Sequence, residues 1–128
     1  MSAADEPAIH NILIVEDEFL VRTDLVAKLR AAGFAHVLEA ASGDQALEIL
    51  ADHSGIEMVI TDVLMPGRTD GLALLAWVRA NRPQAKVVLI GHWPANCLHG
   101  SADLAFPKPV KPQELISGIG KLLGRRAA

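Results

Sequence analysis

Asp62 closes an apolar run, "MVITD", and the chain turns soon afterwards at Pro66 and Gly67. Another apolar run, "NILIV", leads into Glu16, Asp17 and Glu18. A third, "LAFP", is followed at once by Lys108 and then Pro109. Carboxylates brought together repel one another, so they need a cation or they hold a proton. A hard divalent ion with oxygen ligands answers that need. Mg2+ favours one or two protein carboxylates, some waters and an oxygen of a phosphorylated partner. A lysine adds fixed positive charge for a phosphoryl oxygen. The set suits phosphoryl chemistry on a carboxylate, with Asp62 as nucleophile, Asp17 and Glu16 holding the metal, and Lys108 contacting the product.

Each of these residues also has a plainer reading. A strand-terminal aspartate is often a turn former or a helix cap. Glu16 to Glu18 read equally well as a solvated first turn that suits a helix dipole. Lys108, between two prolines, reads by itself as an ordinary loop lysine. The chemical reading rests on all three sites falling at strand ends of one sheet.

Short apolar runs alternate with amphipathic segments along the chain. "NILIV" (Asn11 to Val15), "HVLEA" (His36 to Ala40), "MVITD" (Met58 to Asp62) and "KVVLI" (Lys86 to Ile90) read as strands, and "LAFP" as a short fifth. Continuous apolar runs of this length suit strands covered on both faces. Phe19 to Ala31 reads as a helix with Leu25, Val26 and Leu29 on one stripe, stopped by Gly33. Ser42 or Asp44 caps a second helix, carrying Ala46, Leu47, Ile49 and Leu50. Asp70 or Gly71 opens a third, through Leu72, Leu75, Trp77 and Val78, ended before Pro83. Pro112 sits where a first-turn proline belongs and opens a last helix through Leu115, Ile116, Ile119, Leu122 and Leu123. Strands alternating with helices imply right-handed crossovers and a parallel sheet. Ligands of such sheets gather at the carboxyl ends of the strands. "GHWPANCLHGSAD" (Gly91 to Asp103) shows no helical stripe, so the fourth crossover helix is expected to be short or missing.

The composition supports one such domain. A chain of 128 residues leaves no room for a second. Hydrophobic residues at 51% against 21% charged make a compact core affordable. Aromatics at 4%, with no tyrosine, make that core aliphatic. Twelve Lys and Arg against 15 Asp and Glu give a net charge of −3, which argues against a nucleic-acid surface. Lys121, Arg125 and Arg126 read as a solvated helix end. The single cysteine, Cys97, excludes an internal disulfide and fits a reducing compartment. No signal-peptide pattern and no run near the roughly 18 apolar residues of a membrane span occur, so a cytoplasmic protein is expected. The reading is a disordered tail over residues 1–8, one domain over 9–124 and a short tail over 125–128.

"ILIVEDE", "VITDVLMPG", "DGLALL" and "FPKP", in that order, resemble the receiver domain of two-component response regulators. The resemblance covers the chain from about Asn11 to Leu123 and is specific as a set, although each motif alone is weak. It implies a flavodoxin-like (βα)5 fold, a doubly wound parallel sheet of order 2-1-3-4-5. It implies that Asp62 accepts a phosphoryl group from a phosphohistidine on a sensor histidine kinase or a histidine phosphotransfer protein. Mg2+ would be held by Asp17, Asp62 and the backbone carbonyl of Leu64, with Glu16 nearby, and Lys108 would contact the phosphoryl group. The spacing from Asp17 to Asp62 suits the family; that from Asp62 to Lys108 is slightly short.

The sequence departs from the family pattern at the readout positions. The Ser or Thr expected at the end of the fourth strand falls on Gly91, and on Ile90 if the alignment shifts by one. The expected aromatic residue three positions before the lysine falls on Ala105; Phe106 is adjacent but would point to the opposite face. His92, or the backbone amide of Gly91, could replace the missing hydroxyl as a donor, although a loop histidine is more often a surface residue. Trp93 reads as a packing residue, and Cys97 as inert. "MPGRTDG" is one residue longer than the commoner form. With "GH", Pro94 and "FPKP", it resembles an atypical receiver subgroup associated with α-proteobacteria, whose members are single-domain proteins or parts of hybrid kinases.

Three functions compete at this point. One is a phosphoryl-accepting module without an output domain, acting through protein partners. The second is a pseudo-receiver that binds proteins and never carries phosphate, with Gly91 and Ala105 as signs of decay. The third is an Asp-nucleophile phosphatase, but its second aspartate would fall on Leu64, which counts against turnover; the chain is expected not to be a turnover enzyme. No Gly-rich phosphate loop is present. The face altered here is also one through which receivers often dimerise, so a homodimer stays open.

Overall fold

The computed structural model describes residues 11–92 and 101–124. Five strands alternate with helices in the order β1 (Asn11–Val15), α1 (Phe19–Ala31), β2 (His36–Ala40), α2 (Gly43–Asp52), β3 (Met58–Asp62), α3 (Gly71–Asn81), β4 (Lys86–Gly91), β5 (Leu104–Pro107) and α4 (Pro112–Leu122). The strands are all parallel and lie in the order β2-β1-β3-β4-β5. This is the flavodoxin-like arrangement that the motifs implied. Strand bounds agree with the sequence reading except that β4 runs one residue further, to Gly91, and α4 ends at Leu122, with Leu123, read as helical, as its C-cap. The expectation of a short fourth crossover helix falls largely on residues 93–100, outside the described residues, as do Trp93, Cys97 and both tails. Among the described residues no helix stands between β4 and β5.

The helix ends follow local chemistry. Ser42 Oγ accepts from the Gln45 N–H at 3.0 Å, and the Gln45 side chain accepts from the Ala41 N–H at 2.6 Å. Ser42 is thus the N-cap of α2, and the Gln45 side chain ties back one residue further, to the residue before the cap. Asp70 Oδ1 accepts from the Ala73 N–H at 2.9 Å, so Asp70 caps α3 and Gly71 is its first residue. Pro112 opens α4, where its missing N–H costs nothing.

Alternation along each strand builds two cores, one on each face. Leu13, Val15, Val59, Val87 and Leu89 face α2 and α3. Ile12, Ile14, Met58, Ile60, Val88 and Ile90 face α1 and α4. β3 is buried along its whole length. Each of its large aliphatic side chains contributes roughly 1.5–3 kcal/mol relative to exposure. That anchorage fixes a rigid strand under Asp62.

The register sets what meets at the carboxyl edge. Val15 is paired with Thr61, so Glu16 lies beside Asp62, and Asp62 is paired with Ile90. The strand order reverses at β1 and β3, and a crevice outside the carboxyl ends at such a reversal is where ligands bind. No helix among the described residues is long and apolar enough to cross a membrane.

Candidate functional site

Asp62 is 6% exposed and Glu16 3%, whereas Asp17 is exposed. One oxygen from each of the three carboxylates lies within 4.8 Å of the others. Lys108, delivered from the far side by β5, donates to Asp62 Oδ2 at 2.7 Å and stands 3.7 Å from Glu16 Oε2. The strand ends therefore bring together Glu16, Asp17, Asp62 and Lys108.

The β1–α1 turn is braced in several ways. The Glu16 N–H donates to the Ala40 carbonyl at 3.0 Å. Glu16 Oε1 accepts from the Glu18 N–H at 3.1 Å. Arg22, one turn into α1, donates through Nη1 to the Glu16 carbonyl at 2.7 Å and through Nε to Glu39 at 3.2 Å. Glu18 is the N-cap of α1 but makes no side-chain cap bond. The acidic run is therefore more than a solvated first turn, because its first member is buried and points into the site.

The charges respond to this crowding. Burial, reinforced by the negative charge of Asp62 and Asp17, pushes Glu16 up to about 6, against the pull of the Glu18 N–H and Lys108. Burial works against the Lys108 ammonium, but its hydrogen bond to Asp62 and the charges of Asp62 and Glu16 outweigh that, so its pKa is raised. Three carboxylates with one lysine form an all-oxygen donor set short of positive charge. Such a set fits a hard divalent cation such as Mg2+ better than a soft one.

The loop after Asp62 is held at both ends. The Gly71 N–H donates to the Val63 carbonyl at 2.9 Å, and a β-carbon on Gly71 would collide with the Asp62 carbonyl. Thr69 Oγ1 donates to Asp44 Oδ1 at 2.7 Å. Leu64, whose carbonyl the resemblance assigned to the metal, turns its side chain outward, 61% exposed.

Gly91 and His92 occupy different settings. Gly91 is buried against Asp62, and a β-carbon on it would stand 2.5 Å from Asp62 Oδ1. His92 is exposed. Ala105 packs on the α2–α3 core and Phe106 on the α1–α4 core, so the aromatic ring does face away from the position expected of it. Phe106 lies against Gly118 of α4 instead.

Residues 12–119 match the family model of the response regulator receiver domain. The chain belongs to that family. As a receiver domain it is 34% identical, over 130 residues, to the sensor kinase CckA of Brucella abortus, covering 97% of this chain and 14% of that protein. It is 32% identical over 126 residues to the transcriptional regulatory protein PdtaR of Mycobacterium tuberculosis, covering 95% of this chain and 60% of the relative. Among solved structures, the receiver domain of the hybrid histidine kinase CckA superposes with a TM-score of 0.72 at 36% identity, over 88% of this chain and 98% of that one. The receiver domain thus spans only part of the curated relatives named here.

The sequence reading missed Arg22, Gly71 and the Asp44–Thr69 tie. Arg22 left no signal, since an arginine on an amphipathic helix is ordinary. Gly71 was legible only as a helix opener, because its close approach to Asp62 depends on tertiary packing.

Proposed function

We propose that this receiver domain accepts a phosphoryl group on Asp62 from a phosphohistidine of a sensor kinase or phosphotransfer protein. The observation that carries the reading is the direct Lys108–Asp62 contact at 2.7 Å, beside two further carboxylates whose oxygens converge with those of Asp62. A carboxylate oxygen of Asp62 attacks phosphorus, the P–N bond of the donor breaks, and the departing imidazole keeps the bond pair and takes a proton from solvent. Lys108 then contacts a phosphoryl oxygen in place of the carboxylate oxygen it now holds. Glu16, Asp17 and Asp62 would hold Mg2+, with the Leu64 carbonyl completing the protein ligands. The ion would supply positive charge to the phosphoryl oxygens. The domain is not a turnover enzyme in this reading, and it acts in the cytoplasm through protein partners.

The surface around the site supports a protein donor. Phe19 and Leu20 are 65% and 80% exposed at the start of α1, and Val21 and Leu64 are also exposed. A groove of ≈ 410 Å³ between α1 and the β5–α4 connection runs past Glu16, Ile90 and Lys108. Exposed large apolar side chains grouped beside a reactive carboxylate suit a docking partner.

A pseudo-receiver is the second reading, favoured by Gly91 and Ala105, which put neither a hydroxyl nor an aromatic ring at the two readout positions. One experiment separates the two. The protein is incubated with Mg2+ and acetyl phosphate, and intact mass is read for wild type and Asp62→Ala. A phosphate-sized gain that the variant loses supports phosphorylation; no gain in wild type leaves the pseudo-receiver.

A further inference from the structure

Gly91 stands where a hydroxyl side chain is expected of a receiver domain, and its surroundings show why none is there. Its φ is 139°, a left-handed value that side chains avoid. A β-carbon at this position would fall 2.5 Å from Asp62 Oδ1 and 3.5 Å from the Val63 nitrogen. The first distance lies well inside van der Waals contact. A collision with the end of a side chain is ordinarily relieved by turning that side chain. Here the Asp62 carboxylate is buried and its other oxygen is held by Lys108 at 2.7 Å. The strand beneath it is also fixed, because the Val63 N–H donates to the Ile90 carbonyl at 2.9 Å. On this backbone, space for a β-carbon at 91 comes from turning the carboxylate off Lys108 or prising β4 from β3; the other way out is to carry residue 91 away from its left-handed φ.

We propose that Gly91 is a positioning residue for Asp62: its bare α-carbon makes the space in which the carboxylate meets Lys108 and the other two acids. The glycine is then a requirement of this site and not a lost hydroxyl. Restoring the hydroxyl with Gly91→Ser displaces the acceptor and does not repair the pocket. The consequence for phosphorylation rests on Asp62 being the acceptor; the steric coupling does not.

The decisive experiment is a double-mutant cycle on the full chain, comparing urea unfolding of wild type, Gly91→Ala, Asp62→Ala and the double variant. Left-handed backbone strain costs the same in both backgrounds, whereas the collision exists only where the carboxylate is present. The unfolding equilibrium constant of Gly91→Ala is expected to worsen by at least about tenfold more in the Asp62 background than in the Asp62→Ala background. An equal loss in both backgrounds overturns the proposal. If Gly91→Ala does not fold, folding of the double variant supports the proposal and its failure to fold overturns it. Mg2+ titration of folded Gly91→Ala supplies a reading that backbone strain alone would not move. Weakening by at least about tenfold is expected, and affinity equal to that of wild type overturns the proposal. Neither measurement uses a phosphodonor, so a chain that takes no phosphate overturns the functional reading alone and leaves the coupling to be judged on its own.

Discussion

Glu16 is buried beside two acids with one lysine to balance them, and its ionised form is therefore disfavoured in the fold. A carboxyl raised from 4.5 to about 6 contributes stability that is complete below the unfolded value and lost as pH rises through about 6. In the absence of metal, Glu16→Gln is expected to be more stable than wild type at pH 7–8 by on the order of 1–2 kcal/mol, with the difference closing below about pH 4.5. Chemical denaturation with EDTA across pH 4–8 checks this, and a difference that does not change with pH would count against it. With Mg2+ the order should reverse, because the substitution would remove one of the proposed ligands. The acidic triplet itself was plain in the sequence. That its first member is buried and its second exposed was not, since the turn after β1 is set by Arg22 reaching back to the Glu16 carbonyl. Arg22→Ala should therefore weaken Mg2+ binding several-fold, as supporting contacts of metal ligands commonly do. Isothermal calorimetry reads the change.

At the scale of elements, two ties hold the sheet edge in shape. Gly71 lets the start of α3 rest on the Asp62 backbone. Gly71→Ala should cost about 1–3 kcal/mol or more in urea unfolding, because backbone on backbone cannot yield as a flexible side chain would. The other tie lies at the opposite end. Arg79 of α3 donates to Asp103 at 2.7 Å and to the carbonyls of Ala85 and Ser101, while Asp103 accepts from the Val87 N–H at 2.8 Å. Burial works to raise Asp103, but Arg79 and the Val87 N–H outweigh it, so its pKa is lowered from 3.8. Its contribution is present above that value and lost as pH falls through the lower folded value. Asp103→Asn is expected to cost about 1–3 kcal/mol at pH 7, with the gap to wild type narrowing below about pH 3.8. Urea melts at pH 7 and pH 3 make the comparison. This clamp was not legible in sequence: its partners stand 24 residues apart, and nothing local marks them as a pair.

For the whole molecule, a cation held by the proposed site would couple that site to global stability. A ligand that binds only the folded state stabilises it by mass action, by about 2.7 kcal/mol at a hundred times its dissociation constant. Mg2+ should raise the melting temperature of wild type by several degrees, Asp17→Ala should blunt the rise, and Asp62→Ala should abolish it. A thermal scan with and without Mg2+ that shows no shift in wild type would remove the metal from the account.

Strand positions, the order of the motifs and the three acids were determined by the sequence alone, and the caps of α2 and α3 were narrowed to Ser42 or Asp44 and to Asp70 or Gly71. They rest on periodicity and on bonds between near neighbours, such as the Asp70 cap on Ala73, and tertiary packing had no reason to override them. The parity of a strand was equally local, so Phe106 could be assigned away from the readout face before any fold was seen. Only the tertiary structure decided the depth of Glu16, the clamp of Arg79 on Asp103, and what Gly91 is for. In the sequence Gly91 was a missing hydroxyl. In the fold the space its side chain would take is already filled by Asp62. Which atoms compete for one volume is a property of strands paired across the sheet, and no local pattern carries it.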